Sequence, residues 1–201
     1  MLAAGIGLLG IALVANGLWI PVKAELAQFL IEASWARAQR GEDRPRPWPW
    51  ADTWPVARLR VPSLDKEVYV LAGASGQSLA FGPAHVSSTA SPGHPDNIVI
   101  AGHRDTHFAF LRDLKEGDVL MLETPTSTDR YRVDGAQVVH EARTDLLLPT
   151  GRSELTLITC FPFDSVMTGG PLRYVVFAKG GEFISRPGLI PSRSLGRVPQ
   201  G

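Results

Sequence analysis

The feature that most limits the fold is a series of short apolar segments, separated by turn residues, between positions 56 and 178. Each segment is four to ten residues long and rich in β-branched or aromatic residues, which favours strands over helices. The 16 prolines and 20 glycines of the chain interrupt helices and promote tight turns. Seven or eight short strands with little helix predict a closed or nearly closed β-barrel.

One of these strands holds the only cysteine. Cys160 ends the apolar run that begins at Leu155, and Pro162 prevents the strand from continuing as a central one. A free cysteine is most often a small buried hydrophobe, but a strand end beside a loop is also where functional side chains are commonly held. A single cysteine excludes an intramolecular disulfide and a multi-thiolate metal site.

A lone thiol needs a basic or cationic neighbour to become a useful nucleophile. Of the five histidines, His103 is the best placed, because it follows the predicted strand Asn97–Ala101 through a glycine. Arg173 opens the next strand after Cys160, where its guanidinium could stabilise an oxyanion. Asp105 and Asp164 are the carboxylates nearest to these residues in sequence.

The N-terminus predicts a membrane helix. Leu2–Ile20 contains no charged residue, and about 20 apolar residues can span a bilayer. A cleaved signal peptide is the alternative, but the apolar run is long for one and no basic residues precede it. Lys23, Arg37 and Arg40 follow the run, so the positive-inside rule alone places the remainder of the chain in the cytoplasm.

We divide the chain into a transmembrane anchor (1–21), an amphipathic helix with a Pro/Trp-rich linker (22–53), a β-barrel (54–181) and a disordered tail (182–201). The helix is predicted at Ala24–Gln39, lying on the membrane or on the barrel. The linker either is extended or packs as a collar on the barrel. A net charge of zero does not favour nucleic acid as a partner. The apolar positions of the helix are Leu26, Phe29, Leu30, Ala33 and Ala36.

Three stretches in this order resemble the sortase family: NIVIAGHRDTHFAFL, TLITC and PLRYVV. The resemblance covers about residues 54–179 and implies an eight-stranded sortase-like β-barrel with short helices. TLITCFPFD looks most like the class D-type branch, although Phe161 stands where that branch often has tyrosine. The N-terminal WIPVKAELAQFLIEASW looks more like the class GN sortases of Gram-negative proteobacteria.

The resemblance implies a membrane-anchored cysteine transpeptidase. Cys160 would be the nucleophile, His103 the general acid/base and Arg173 the oxyanion or substrate clamp. The substrate is a protein with an LPxTG-like sorting signal, cleaved through a thioacyl-enzyme, and the acceptor is an amine. The resemblance also implies a catalytic domain on the periplasmic or extracytoplasmic side of the inner membrane, contrary to the charge count.

By the same analogy, the substrate groove is bordered by Thr159, Phe161, Gly169 and Gly170. The chemistry requires no metal or other cofactor, and no acidic cluster suggests the calcium site of some sortases. Two alternatives remain open from the sequence. A hydrolytic cysteine protease of the same fold would use water as the acceptor, and a membrane-tethered binding barrel would perform no chemistry.

Overall fold

The structure, a computed structural model, describes residues 22–165 and 169–185. The predicted membrane helix at 1–21 and the chain from residue 186 onwards lie outside these residues. Within the described part, no helix is long and apolar enough to cross a membrane.

The predicted eight-stranded β-barrel is confirmed. The strand order is β1-β2-β3-β4-β7-β8-β6-β5, and the barrel closes where β5 pairs with β1. The strands are β1 (Pro55–Val61), β2 (Lys66–Ala72), β3 (Ala84–His85), β4 (Asn97–Ala101), β5 (Val119–Glu123), β6 (Ser127–His140), β7 (Glu154–Phe161) and β8 (Leu172–Ser185). Strand β8 therefore continues four residues into the segment predicted to be a tail.

The described helices are few. Helix α1 covers residues 22–39 and α2 is a single turn at Gly76–Leu79. Short 3-10 helices lie at Pro62–Leu64, Ala109–Asp113 and Thr144–Leu147.

Alternate strand residues fill the barrel. Leu155 and Leu157 of β7 point inward, as do Ile98 and Ile100 of β4, and all four are fully buried. Because side chains alternate across a strand, Thr156, Ile158 and Cys160 lie on the outer face of β7. Because Leu155 and Leu157 face the core, the Cys160 thiol is on the outside of the barrel.

Helix α1 lies on the barrel, which is one of the two positions predicted for it. Ala27, Ile31, Trp35 and Ala38 are buried, and the Trp35 ring lies 6.2 Å from that of Tyr69 on β2. Leu26 and Phe29, two of the predicted apolar positions, are exposed on the opposite side. The helix therefore carries apolar residues on two sides, and hydrophobic periodicity identified the side that the barrel does not cover.

The Pro/Trp-rich segment is a packed collar rather than a free linker. Pro45 and Pro47 are buried, and the Trp48 ring lies edge-on to Phe81 at 4.9 Å. The guanidinium of Arg44 lies over the Trp54 ring at 5.3 Å. These contacts hold the collar against the segment after α2 and against the residue that precedes β1.

One buried carboxyl stands out in the barrel. Asp129 of β6 is 3% exposed, and among the described residues neither of its oxygens has a hydrogen-bond partner. Burial raises its pKa. Burial and the nearby charge of Asp129 also raise the pKa of Tyr131 to about 12. Because the folded chain holds the Asp129 proton to a higher pH than the unfolded chain does, stability falls as the pH rises through the folded pKa.

We expect Asp129→Asn to raise the free energy of unfolding at neutral pH by about 1 kcal/mol, because it removes an ionisable group whose buried oxygens have no hydrogen-bond partner among the described residues. The gain should disappear as the pH falls below the ordinary carboxyl range. Urea denaturation across this pH range measures both effects. Asp134→Asn is the control, because Asp134 lies on the same strand but is exposed and paired with Lys179. An equal, pH-independent gain in both variants would contradict the prediction.

Candidate active site

Strands β4 and β7 bring His103 and Cys160 to one end of the barrel. The two strands are parallel, and Ala101 pairs with Ile158. Continuing this register by two residues sets His103 beside Cys160. His103 is exposed and Cys160 is partly exposed, so both are accessible from the outer face.

The backbone between these residues is tightly fixed. Gly102 N–H donates to the carbonyl of Ile158 at 3.0 Å, and the Thr159 hydroxyl donates to the carbonyl of Gly102 at 2.7 Å. A Cβ on Gly102 would lie 2.7 Å from the buried ring of Phe108, so only glycine fits here. Thr159 is buried and bonds to the histidine segment, and its substrate-binding role stays a prediction.

Arg173 on β8 lies opposite Cys160 on β7. It pairs with Cys160 in the antiparallel β7–β8 ladder, where side chains of opposed residues are about 5 Å apart at Cβ. One nitrogen of its guanidinium, Nη1, donates to the carbonyls of Gly170 and Leu172 at 2.6 and 2.9 Å. The predicted catalytic residues thus lie at one end of three adjacent strands, with His103 two residues beyond β4, Cys160 on β7 and Arg173 on β8.

Glu141 is a site residue that the sequence analysis missed. Its carboxylate accepts from Arg173 Nη2 at 2.5 Å, and the two residues are 32 positions apart. The side chain of Glu141 is half exposed. This ion pair orients the arginine, and among the described residues none accepts from Nε of Arg173.

Arg104 is a second residue that the sequence analysis missed. It directly follows His103, is 5% exposed, and donates to the carbonyls of Pro162 and Ser165, each at 2.6 Å. Its Nε donates to Asp105 at 3.1 Å. A buried arginine therefore ties the histidine segment to the loop that follows Cys160.

Aromatic rings reinforce the same loop. Phe161 is stacked with Tyr174 at 6.4 Å, and Phe163 meets Tyr174 edge-on at 5.1 Å. Arg112 lies 4.9 Å from the Phe163 ring and pairs with Asp164 at 3.2 Å. Phe161 thus packs within this aromatic cluster. Its contact with substrate stays a prediction.

The remaining predicted groove residues follow the loop. Gly169 is exposed with φ of 82°, and Gly170 lies against Arg173 through its carbonyl. Residues 166–168, which the sequence analysis also placed at the groove, lie outside the described residues. The substrate-binding roles of Gly169 and Gly170 stay predictions.

The other histidines are placed differently. His85 is buried, its ring bonds to the carbonyl of Ala90 at 2.9 Å, and burial lowers its pKa. His107 is half-buried next to His103; burial and then the charge of His103 lower its pKa. Both Asp105 and Asp164 pair with arginines. Within residues 22–165 and 169–185, no three histidine, cysteine or acidic side chains form a metal site.

We expect Arg104→Gln to loosen the loop after Cys160 and to lower the free energy of unfolding by about 2 kcal/mol, because the carbonyls of Pro162 and Ser165 lose a buried, charged donor. Hydrogen exchange of residues 163–165 should accelerate, and turnover of a substrate peptide should fall with it. Arg112→Gln is the matched control, since its ion pair to the same loop is exposed and worth less than about 1 kcal/mol. Unchanged exchange in Arg104→Gln would refute the clamp.

Known proteins that resemble this chain in sequence share one domain family. A model of the Sortase domain family matches residues 59–180. Sortase D of Bacillus subtilis (strain 168) is 30% identical over 122 residues, which cover 60% of this chain and 61% of that protein. The match therefore spans less than two thirds of this curated relative.

Two solved structures extend the comparison. The catalytic domain of SrtD from Bacillus anthracis is 33% identical with a TM-score of 0.57, over 66% of this chain and 90% of that one. Sortase E1 from Streptomyces coelicolor, solved with a tripeptide in the active site, is 26% identical with a TM-score of 0.59, over 69% of this chain and 94% of that one.

Proposed function

The chain belongs to the sortase family, whose domain model matches residues 59–180, and we propose that it is a cysteine transpeptidase acting on a peptide sorting signal. The observation that carries this is the convergence of His103, Cys160 and Arg173 at one end of β4, β7 and β8. A thiol, a base and an oxyanion donor are the parts that acyl transfer requires.

The proposed reaction has two halves. The Cys160 thiolate attacks the scissile carbonyl, the C–N bond breaks, and protonated His103 gives its proton to the departing amine. Arg173 stabilises the negative oxygen that forms in between. An amine then attacks the thioacyl-enzyme, neutral His103 takes its proton, and the Cys160 thiolate leaves as the new amide forms, which restores the starting state. Water in place of the amine would give hydrolysis.

Two observations support a peptide substrate. Cys160 lies on the outer face of the barrel and is partly exposed, so a peptide can reach the thiol from outside. Sortase E1 from Streptomyces coelicolor, which is 26% identical to this chain, was solved with a tripeptide in its active site. A depression of about 510 Å³ lies farther along the same face over Thr156 and Phe177, and none of the three predicted catalytic residues lines it.

We further propose that residues 1–21 anchor the protein in the inner membrane, with the barrel on the periplasmic side. The uncharged run Leu2–Ile20 supports the anchor. The identities to Sortase D and to SrtD support the class D-type branch for the barrel. The assignment to class GN rests on the N-terminal sequence.

We expect the full-length chain, incubated in detergent with an LPxTG-type peptide, to gain the mass of the acyl fragment. Cys160→Ala should gain no mass while retaining the wild-type unfolding temperature, because the thiol lies outside the core. Intact-mass spectrometry measures the adduct, and an added amine should convert it to a transpeptidation product. Turnover by Cys160→Ala, or a wild type that neither forms the adduct nor cleaves any LPxTG-type peptide, would overturn the proposal.

We expect Arg173→Lys to lower kcat/KM on the order of 100-fold, since a point charge cannot replace the guanidinium fork and an oxyanion donor is worth about that much. The loss should appear in kcat more than in KM. Glu141→Gln serves as the control, because it removes an exposed ion pair but keeps the fork, and should cost only a few-fold. Near-normal kinetics of Arg173→Lys would show that the arginine is a surface residue.

A further inference from the structure

Helix α1 has an apolar side that nothing in the described structure covers. Its barrel side buries Ile31 and Trp35, whereas Val22, Leu26 and Phe29 on the opposite side are 57%, 55% and 65% exposed. Ala33 is exposed on the same side. We call Val22, Leu26, Phe29 and Ala33 the apolar stripe.

The apolar stripe is continuous. Its members follow one another at intervals of four, three and four residues, which is the spacing of one helix face. From Val22 to Ala33 it runs about 16 Å along the axis. A contiguous exposed patch that contains leucine and phenylalanine usually marks a surface that is covered in the working protein.

The chain itself indicates what covers the stripe. The uncharged run Leu2–Ile20 ends two residues before Val22, so a bilayer that holds this run is directly beside the first turn of α1. Pro21 between them disfavours one uninterrupted helix. The helix can therefore turn away from the axis of the anchor and lie along the membrane surface.

The charges of α1 fit this position. At 100° per residue, Glu25 and Glu32 lie along one edge of the apolar stripe, and Lys23 and Arg37 lie along the other. Charged edges on either side of an apolar face are typical of helices in the membrane interface. Because two acidic and two basic residues balance, attraction to anionic lipid should contribute little.

We propose that α1 is an interfacial helix, with the apolar stripe in the lipid and the barrel resting on its other side. This inference rests on the membrane anchor of the proposed function and adds a second, surface contact to it. The occupant of the stripe is lipid, rather than a second copy of the chain or residues 1–21 folded back.

The contact determines where the active site lies. Gln28 and Glu32 of α1 line a depression together with His107, which neighbours His103. A helix is about 10–12 Å across. The histidine side of the site is thus held about one helix diameter from the bilayer, where membrane-borne substrates can reach it.

The test uses nitroxide labels on the full-length chain in phosphatidylcholine vesicles. Cys160→Ala removes the only cysteine and provides the background for single substitutions. Leu26→Cys and Phe29→Cys report on the stripe, and Glu25→Cys and Glu32→Cys on its edge. Leu148→Cys is the matched control, since Leu148 is an apolar residue, 60% exposed, in the loop between β6 and β7. Flotation with the vesicles is measured first.

We expect labels at positions 26 and 29 to lie about 5–10 Å inside the headgroup boundary, with more frequent collisions with oxygen than with a water-soluble nickel chelate. Labels at positions 25, 32 and 148 should favour the nickel chelate. Adding phosphatidylglycerol should leave the depths of the stripe labels unchanged.

Each other outcome overturns the inference. Failure to float shows that the anchor itself is wrong. If the protein floats but labels on the apolar stripe collide with the nickel chelate as often as the label at position 148, the anchor stands and α1 does not lie in the membrane interface. Stripe labels shielded from both reagents show a protein occupant, which is a second copy if the labels couple magnetically with each other and residues 1–21 if they do not. The adduct assay on wild-type protein reports on catalysis separately.

Discussion

The site depends on the parallel pairing of β4 with β7. In a parallel pair of strands, residues that lie the same number of positions beyond a paired couple are again side by side. Because Ala101 pairs with Ile158, His103 lies beside Cys160. The Thr159 hydroxyl and the absence of a side chain on Gly102 keep the two strands in this register. Residues 57 positions apart therefore become neighbours through backbone hydrogen bonding, without any loop being required to close over them.

The loops that leave these strands are held by a buried charge. The guanidinium of Arg104 satisfies two carbonyls of the loop after Cys160, and a buried donor of this kind is costly to lose. Arg173 is held at a more exposed position by Glu141. The first arginine fixes the backbone around the thiol. The second is oriented by a more exposed ion pair.

The barrel was largely predictable from the sequence, since apolar and β-branched runs identified most of the strands. The structure added that Leu155 and Leu157 face inward, which leaves Cys160 on the outer face. The order of the histidine, cysteine and arginine segments indicated the family. The contact face of α1 was not predictable, because Leu26 and Phe29 are as hydrophobic as Ile31 and Trp35, and periodicity cannot rank two apolar sides of one helix.

Local sequence thus determined most of the strands and which reactive residues stand at the ends of β4 and β7, because these properties follow from side-chain sterics and burial within a few positions. Only the tertiary structure decided the partners of Arg104, which are 58 and 61 residues away, and of Arg173. It also decided which side of α1 meets the barrel. Such contacts depend on the closure of the barrel, which brings distant carbonyls and carboxylates within hydrogen-bonding distance and carries no short-range signal in the chain.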